Sequence, residues 1–297
     1  MENYRRFLQP EVIVKLKTIE LKARLVVEGF LAGLHRSPYK GFAQEFAEYR
    51  AYQPGDELKR IDWKVYAKTD RFYVKEFVEE TNLKAYLLID ASGSMQYGSN
   101  GISKLNYAQF LAASLAYLLI KQRDSVGLVV FTSKINKYLP PRSKPDHLNA
   151  LLQTIDKITP GGDTNLANTF HELAEKIKRR GLVIIISDLL DDKNAVLSAL
   201  KHFRHKKHEV LVFHILDPNE LKLAYNEPVI LKDLETGSTI RIDPRIIRKD
   251  YQKAVIDYFS GFKQECREHL IDYLQITTDM PLDRSLLEYL QKRSRLG

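Results

Sequence analysis

The chain has 297 residues, of which 44% are hydrophobic and 28% charged. This is ordinary globular composition, which excludes a disordered chain, and the length suffices for one large domain or a domain with an appendage. The net charge of +8 is spread along the sequence, so it reads as a mildly basic surface rather than a dedicated nucleic-acid stripe.

In chain order, Val12, Leu16, Ile19 and Ala23, continued by Val26, Val27, Phe30 and Leu34, recur at helical spacing and predict one helix over residues 11–34. Ser37-Pro38 ends it, because the residue before proline avoids the α region. Residues 42–52 and 72–78 carry strand-like aromatic alternation, with a turn at Pro54-Gly55-Asp56 and a short helical stretch over 61–67. Trp63, the only tryptophan, is expected in the core. From about residue 83 the pattern changes to apolar runs alternating with helical ones. Strands are expected at 85–89, 125–131, 182–186, 210–215 and 273–277, with a short antiparallel edge strand at 135–139. Helices are expected at 104–121, 145–158, 166–180, 193–205, 244–269 and 282–292, and a β-hairpin at 227–242. Such alternation implies right-handed crossovers and an α/β fold, with a mostly parallel sheet covered by helices on both faces. The expected division is a small α+β subdomain over 1–82 and the α/β domain over 83–297.

Ligands of open α/β sheets bind at the carboxyl ends of the strands. The first apolar strand runs into Asp90-Ala91-Ser92-Gly93-Ser94, and the strand at 182–186 into Ser187-Asp188. A glycine-rich loop, Gly161-Gly162-Asp163-Thr164-Asn165, precedes another helix. Asp90, Ser92, Ser94, Thr164 and Asp188 thus offer two carboxylates and three hydroxyls to one rim. An all-oxygen set suits a hard cation such as Mg²⁺ or Mn²⁺, and no cysteine or paired histidine accompanies it to favour zinc. The bland alternative is that Ser92 and Ser94 cap a helix and Asp188 is an ordinary loop residue.

Asp90-x-Ser92-x-Ser94 with the later Thr164 and Asp188 resembles the metal-ion-dependent adhesion site (MIDAS) of von Willebrand factor A-type (vWA) domains. The resemblance implies that Ser92, Ser94 and Thr164 contact the metal, that Asp90 and Asp188 act through bound waters, and that one position stays open for a partner's carboxylate. Upstream, Glu45-Phe46, Arg50, Tyr52, Pro54-Gly55-Asp56, Arg60-Ile61-Asp62-Trp63, Ala67 and Val74-Lys75-Glu76, leading into Asp90-Ala91-Ser92-Gly93-Ser94, resemble the DUF58 family of bacterial and archaeal proteins. That likeness covers most of the chain from about residue 35. It implies a partnership with a MoxR-type AAA+ ATPase in the assembly or maturation of other proteins, hence a non-catalytic binding module.

Several functions lack their signatures. There is no P-loop, GxGxxG fingerprint or GxSxG elbow. Asp90 at a strand end also matches the place of a phosphatase nucleophile assisted by Mg²⁺, but Ser92 stands where that chemistry wants a second aspartate. His202, His205 and His208 lie beside Lys206 and Lys207, which would repel a metal, so they read as a solvated basic face. Nucleic acid is not the expected partner, because no aromatic-interleaved motif accompanies that face. Cys266 is the only cysteine, which excludes an internal disulfide. The first ten residues lack the apolar core of a signal peptide, and the longest apolar-rich run, residues 110–120, is shorter than the roughly 18–20 residues a membrane span needs. A cytoplasmic protein without membrane insertion is expected.

Overall fold

The computed structural model describes residues 9–35, 49–51, 63, 66, 72–75, 84–162 and 165–293. Its centre is a six-stranded sheet in the order β10-β7-β6-β3-β4-β5. These strands are β3 (Lys84–Asp90), β4 (Ser125–Phe131), β5 (Ile135–Arg142), β6 (Leu182–Ser187), β7 (Glu209–Leu216) and β10 (Asp272–Thr277). All neighbours pair in parallel except β4 with β5. This is the mostly parallel α/β architecture implied by the alternation of apolar runs.

Helices cover both faces. Strand residues alternate between them, as the pleat requires: Ala85, Leu87 and Ile89 of β3 join one core, Tyr86 and Leu88 the other. On the first face lie α2 (Ile19–His35), α3 (Lys104–Lys121), α4 (Pro145–Asp156) and α9 (Leu282–Arg293). On the second lie α5 (Leu166–Lys176), α6 (Lys193–His205) and α8 (Pro244–Glu268), which contributes Phe262 and Cys266. The α3 helix is apolar on nearly every side because it is covered twice. The sheet takes one flank, and α2 packs on the other through Ala23, Val26, Val27 and Phe30. Each fully buried Leu or Ile in this layer contributes about 1.5–3 kcal/mol.

Three expectations are corrected. The first helix is two: α1 (Pro10–Ile13) and α2 are separated by residues 14–18. Apolar spacing continues across the break, but the Thr18 hydroxyl accepts the Leu21 N–H and starts a new helix. Trp63 is 57% exposed, not core, and meets Tyr66 and Phe72 edge to face. The edge strand β5 runs on to Arg142 through Pro140 and Pro141, because its open side needs no N–H donors and its pairing with β4 is irregular at the same place, with a register shift between Val126 and Leu128. Of the upstream strands, β1 (Tyr49–Ala51) and β2 (Tyr73–Lys75) pair antiparallel. The turn at 54–56 and most of the 61–67 stretch lie outside the described residues. A two-stranded hairpin, β8 (Val229–Lys232) and β9 (Thr239–Ile242), stands where a hairpin was expected. One element had no sequence signal: α7 (Pro218–Lys222), a five-residue helix, is too short for periodicity.

Candidate functional site: the carboxyl rim of the sheet

Asp90 ends β3 and is fully buried. Its carboxylate accepts the Ser92 N–H at 2.9 Å and the Ser187 hydroxyl at 2.5 Å, both neutral donors. Ser92 precedes a single 3₁₀ turn, Gly93–Gln96, and Ser94 lies within it; their hydroxyls are 3.0 Å apart in buried positions. Ser92 makes no side-chain capping bond there, and the next long helix is capped by Ser103 through a reciprocal box with Asn106. The capping alternative for the two serines therefore has no counterpart in the structure.

Asp188, one residue beyond β6, is also buried. The Lys104 ammonium donates to it at 2.7 Å and to Glu220 of α7 at 2.6 Å. Lys104 opens α3 yet has no exposed side-chain surface. Burial pulls its ammonium down, but the charges of Asp188 and Glu220 outweigh that and hold it above its ordinary value. Glu220 uses its other oxygen for the Asp217 N–H at 2.7 Å, and burial pushes its carboxyl up against the opposing pull of Lys104. His214 of β7 approaches the Asp188 carbonyl at 2.7 Å, so its Nε2–H donates, and Nδ1 meets the Tyr273 hydroxyl at 2.6 Å. Burial holds this imidazole down at about 4.

The rim thus joins two buried carboxylates, of which, among the described residues, Asp188 alone is bonded to a cation. Burial first, and then the charge of Asp188, push Asp90 well above the usual carboxylate range. A carboxylate in that position favours an additional positive charge nearby. Asp90 with the Ser92 and Ser94 hydroxyls fits a hard divalent ion, whose ligands are oxygens. Among the described residues no group of three or more His, Cys, Asp or Glu side chains converges on one point.

Thr164 lies outside the described residues. The described part of its loop is stitched to the rim: Gly161 N–H donates to the Ala91 carbonyl at 2.9 Å and Gly93 N–H to the Gly162 carbonyl at 3.2 Å. Gly162 sits at φ +82°, which favours glycine. Leu166 N–H donates to Asp191 at 2.7 Å.

Lys104, Glu220 and Ser187 were missed by sequence reasoning. A lysine at the first position of a mostly apolar helix, the first long helix after the Asp90–Ser94 loop, was the available signal for Lys104. Its partner Glu220 is 116 residues away, on an element that has no periodicity to read. The histidine cluster does not converge on one site. His202 reaches His171 and Glu175, while His208 is buried against the Ile177 carbonyl.

Beside the rim lies a cavity of about 400 Å³ lined by Ser94, Lys104, Glu220 and Tyr251, with Leu234 and Glu235 of the hairpin closing its far side.

A family model described as "Protein of unknown function DUF58" matches residues 48–258. The uncharacterized protein Rv1480 of Mycobacterium tuberculosis is 29% identical over 293 residues, covering 96% of this chain and 91% of its own. Among solved structures, the conserved hypothetical protein BatB of Bacteroides thetaiotaomicron is 15% identical with a TM-score of 0.49, covering 72% of this chain and all of its own. An aerotolerance-related membrane protein of Bacteroides fragilis is 16% identical with a TM-score of 0.48, covering 71% of this chain and 99% of its own.

Proposed function

The chain belongs to the DUF58 family of proteins of unknown function, so its role must be argued from its site, and we propose that it is a non-catalytic, divalent-cation-dependent protein-binding module. The observation that carries this reading is the buried Asp90, hydrogen-bonded among the described residues by neutral groups alone and adjoining the Ser92 and Ser94 hydroxyls. Asp90, Ser92, Ser94, Thr164 and Asp188 would hold Mg²⁺ or Mn²⁺, with Asp188 sharing its charge between the site and Lys104. Bound there, the ion supplies an electrophilic point for an acidic side chain of a partner. The protein's own part is to exclude water, to hold Asp90 by two hydrogen bonds and to present neutral hydroxyls, which leave most of the ion's charge uncompensated.

The family resemblance suggests the partner, a MoxR-type AAA+ ATPase or one of its clients offering an Asp or Glu. The net charge of +8 would steer an acidic surface toward the protein, an effect that salt weakens. No helix among the described residues is long and apolar enough to cross a membrane, and a cytoplasmic location belongs to the same reading.

Calorimetry with Mn²⁺ tests the site. Wild type should bind, and Asp90→Ala should lose at least tenfold in affinity. Capture of the co-expressed ATPase should likewise be abolished by EDTA and by Asp90→Ala. Equal Mn²⁺ binding by both proteins would remove the rim from consideration.

A second reading has one observation in its favour. Phosphoryl transfer on Asp90 would want a lysine nearby, and Lys104 stands one carboxylate away, on Asp188. Its ammonium is already shared between Asp188 and Glu220, which leaves it little to offer a phosphate. Turnover of p-nitrophenyl phosphate that vanishes in Asp90→Asn would establish this reading instead.

A further inference from the structure

Strands β6, β7 and β10 are neighbours and run parallel, so the loops that lead into them lie side by side at the amino end of the sheet. Two of these loops close a helix in the same way. At the end of α6, Lys207 N–H donates to the Arg204 carbonyl and His208 N–H to the Phe203 carbonyl. At the end of α8, Leu270 N–H donates to the Arg267 carbonyl and Ile271 N–H to the Cys266 carbonyl. In this motif the residue that turns the chain takes the left-handed region and is usually glycine. Here it is Lys207 at φ +65° and Leu270 at φ +56°. The residues that follow, His208 and Ile271, are buried, whereas Lys207 is exposed and Leu270 is 73% exposed. Neither packing nor backbone preference explains a leucine at that position. What it gains there is projection into solvent.

Cations surround it. Leu270 lines a hollow of about 680 Å³ with Arg180, Arg204, Lys263 and Arg267, beside the buried Val210, Ile271 and Tyr273. Lys178 and Arg179, both exposed, precede Arg180 in the loop before β6. The carboxylates at this end are fewer or engaged. Glu209 pairs with Arg180 at 3.5 Å, Asp272 lines the hollow, Glu175 pairs with His202 and Lys206, and Glu268 accepts from Gln264. Arg204 and Arg267 occupy the last turns of α6 and α8, where a cation complements the helix dipole. That role does not account for Lys263, one turn earlier on α8, or for Lys178, Arg179 and Arg180, which belong to no helix. Charges scattered through the sequence are gathered by the fold onto one end of the sheet.

We propose that this end of the sheet docks on an anionic lipid surface, its arginines meeting headgroup phosphates while Leu270 enters the layer just beneath them. The partner must take dispersed positive charge and a protruding apolar side chain at once, and a bilayer containing acidic lipids supplies both. A nucleic acid would satisfy the cations but offers no apolar layer. Tyr273, the aromatic ring in the hollow, is buried with its hydroxyl on His214 and is not presented to stack on a base. Docking by the amino end leaves the carboxyl rim facing away from the bilayer. The inference therefore goes beyond the proposed cation site and stands or falls separately from it.

The test is co-sedimentation of the full chain with vesicles of phosphatidylcholine alone or of phosphatidylcholine mixed with phosphatidylserine. Wild type should bind the mixed vesicles and be released from them as salt rises. Lys263→Gln combined with Arg267→Gln should weaken that binding about tenfold or more, since each cation near such a surface contributes about fivefold. Leu270→Gly should weaken it about three- to tenfold, the part of a leucine's transfer that partial burial returns. Its midpoint of thermal unfolding should hold or rise, because glycine suits φ +56°. Mn²⁺ binding should not differ among these proteins, which separates this face from the rim. Equal binding to both kinds of vesicle, or equal binding of mixed vesicles by wild type and the double variant, overturns the docking face. Equal binding by wild type and Leu270→Gly overturns the part given to Leu270. Absence of vesicle binding overturns the proposal as well; if duplex DNA of random sequence is then captured, and the double variant loses it, the face serves nucleic acid.

Discussion

The carboxyl end of the parallel sheet buries Asp90, Ser187, Asp188 and His214. At the amino end, where β6 meets β3 and β7, the closure is made by backbone. Gly181 lies so near the Lys84 carbonyl that a Cβ would come within 2.2 Å of its oxygen, and Glu209 N–H donates to the Gly181 carbonyl. The local ion pair, Arg180 with Glu209, is solvent-exposed and 3.5 Å long. The same three strands therefore end in a cluster of buried carboxylates on one side and, on the other, in close backbone packing beside the buried imidazole of His208. A cluster of buried charge is expensive unless every member is paired. Asp90, which has no cationic partner among the described residues, makes the carboxyl end the costlier of the two, as the proposed cation site would require.

The sharpest way to break this comparison is Lys104→Met. It leaves Asp188 and Glu220 facing each other without their ammonium, and the loss should be about 3–5 kcal/mol. The same replacement of Lys84, half-buried at the amino end of β3, should cost less than ~0.5 kcal/mol. Denaturant unfolding of the two variants measures the difference. Comparable losses would mean that the ends of the sheet are not energetically distinct.

Next in size is Gly181→Ala. The new methyl meets a backbone oxygen that cannot rotate away, and overpacking of this kind costs about 1–3 kcal/mol. Because the amino end takes no part in the proposed binding, Mn²⁺ affinity should be unchanged while the midpoint of thermal unfolding falls. An altered Mn²⁺ affinity would show that strain travels the length of β6.

How much of this is legible in the sequence depends on how locally each feature is encoded. Buried parallel strands are short apolar runs, and the residue that follows each run is polar. That is why the positions of Asp90 and Asp188 at strand ends could be read directly. Helices with a strong cap, such as α3 behind Ser103, were legible to the residue. The break after α1 was not, since the apolar period ran through it and only the Thr18 hydroxyl marks the restart. The coupling of Lys104 to Glu220, and of the hairpin tip to Gly93, depends on how the chain returns to the rim more than 100 residues later. No spacing rule encodes such a return. Trp63 misled because size and rarity suggest a core, whereas its neighbours Tyr66 and Phe72 leave more than half of it in water.

The smallest expected effect is a pH slope at the amino end. Burial holds the His208 imidazole below its ordinary value, and its Nε2–H donates to the Ile177 carbonyl. The unfolded chain therefore takes up the proton first as pH falls. The His208 contribution is fully present above roughly pH 6.5 and is lost as pH drops below that value. Because other buried groups titrate nearby, the readout is the difference in slope between wild type and His208→Phe. A variant with the wild-type slope would remove His208 as its source.

The antiparallel edge strand β5 bears on how the protein behaves when crowded. An open sheet presents at its rim a row of unpaired amide and carbonyl groups, to which another chain can add a strand. In β5 this strip is interrupted. The Pro140-Pro141 pair removes a donor from the open side, Lys137 and Arg142 bring like charges to any identical strand approaching it, and two register shifts against β4 twist the strip out of flatness. Among the described residues no strand pairs with the outer side of β5, and these features make the flank beside Phe131 and Val130 a poor seed for fibrils.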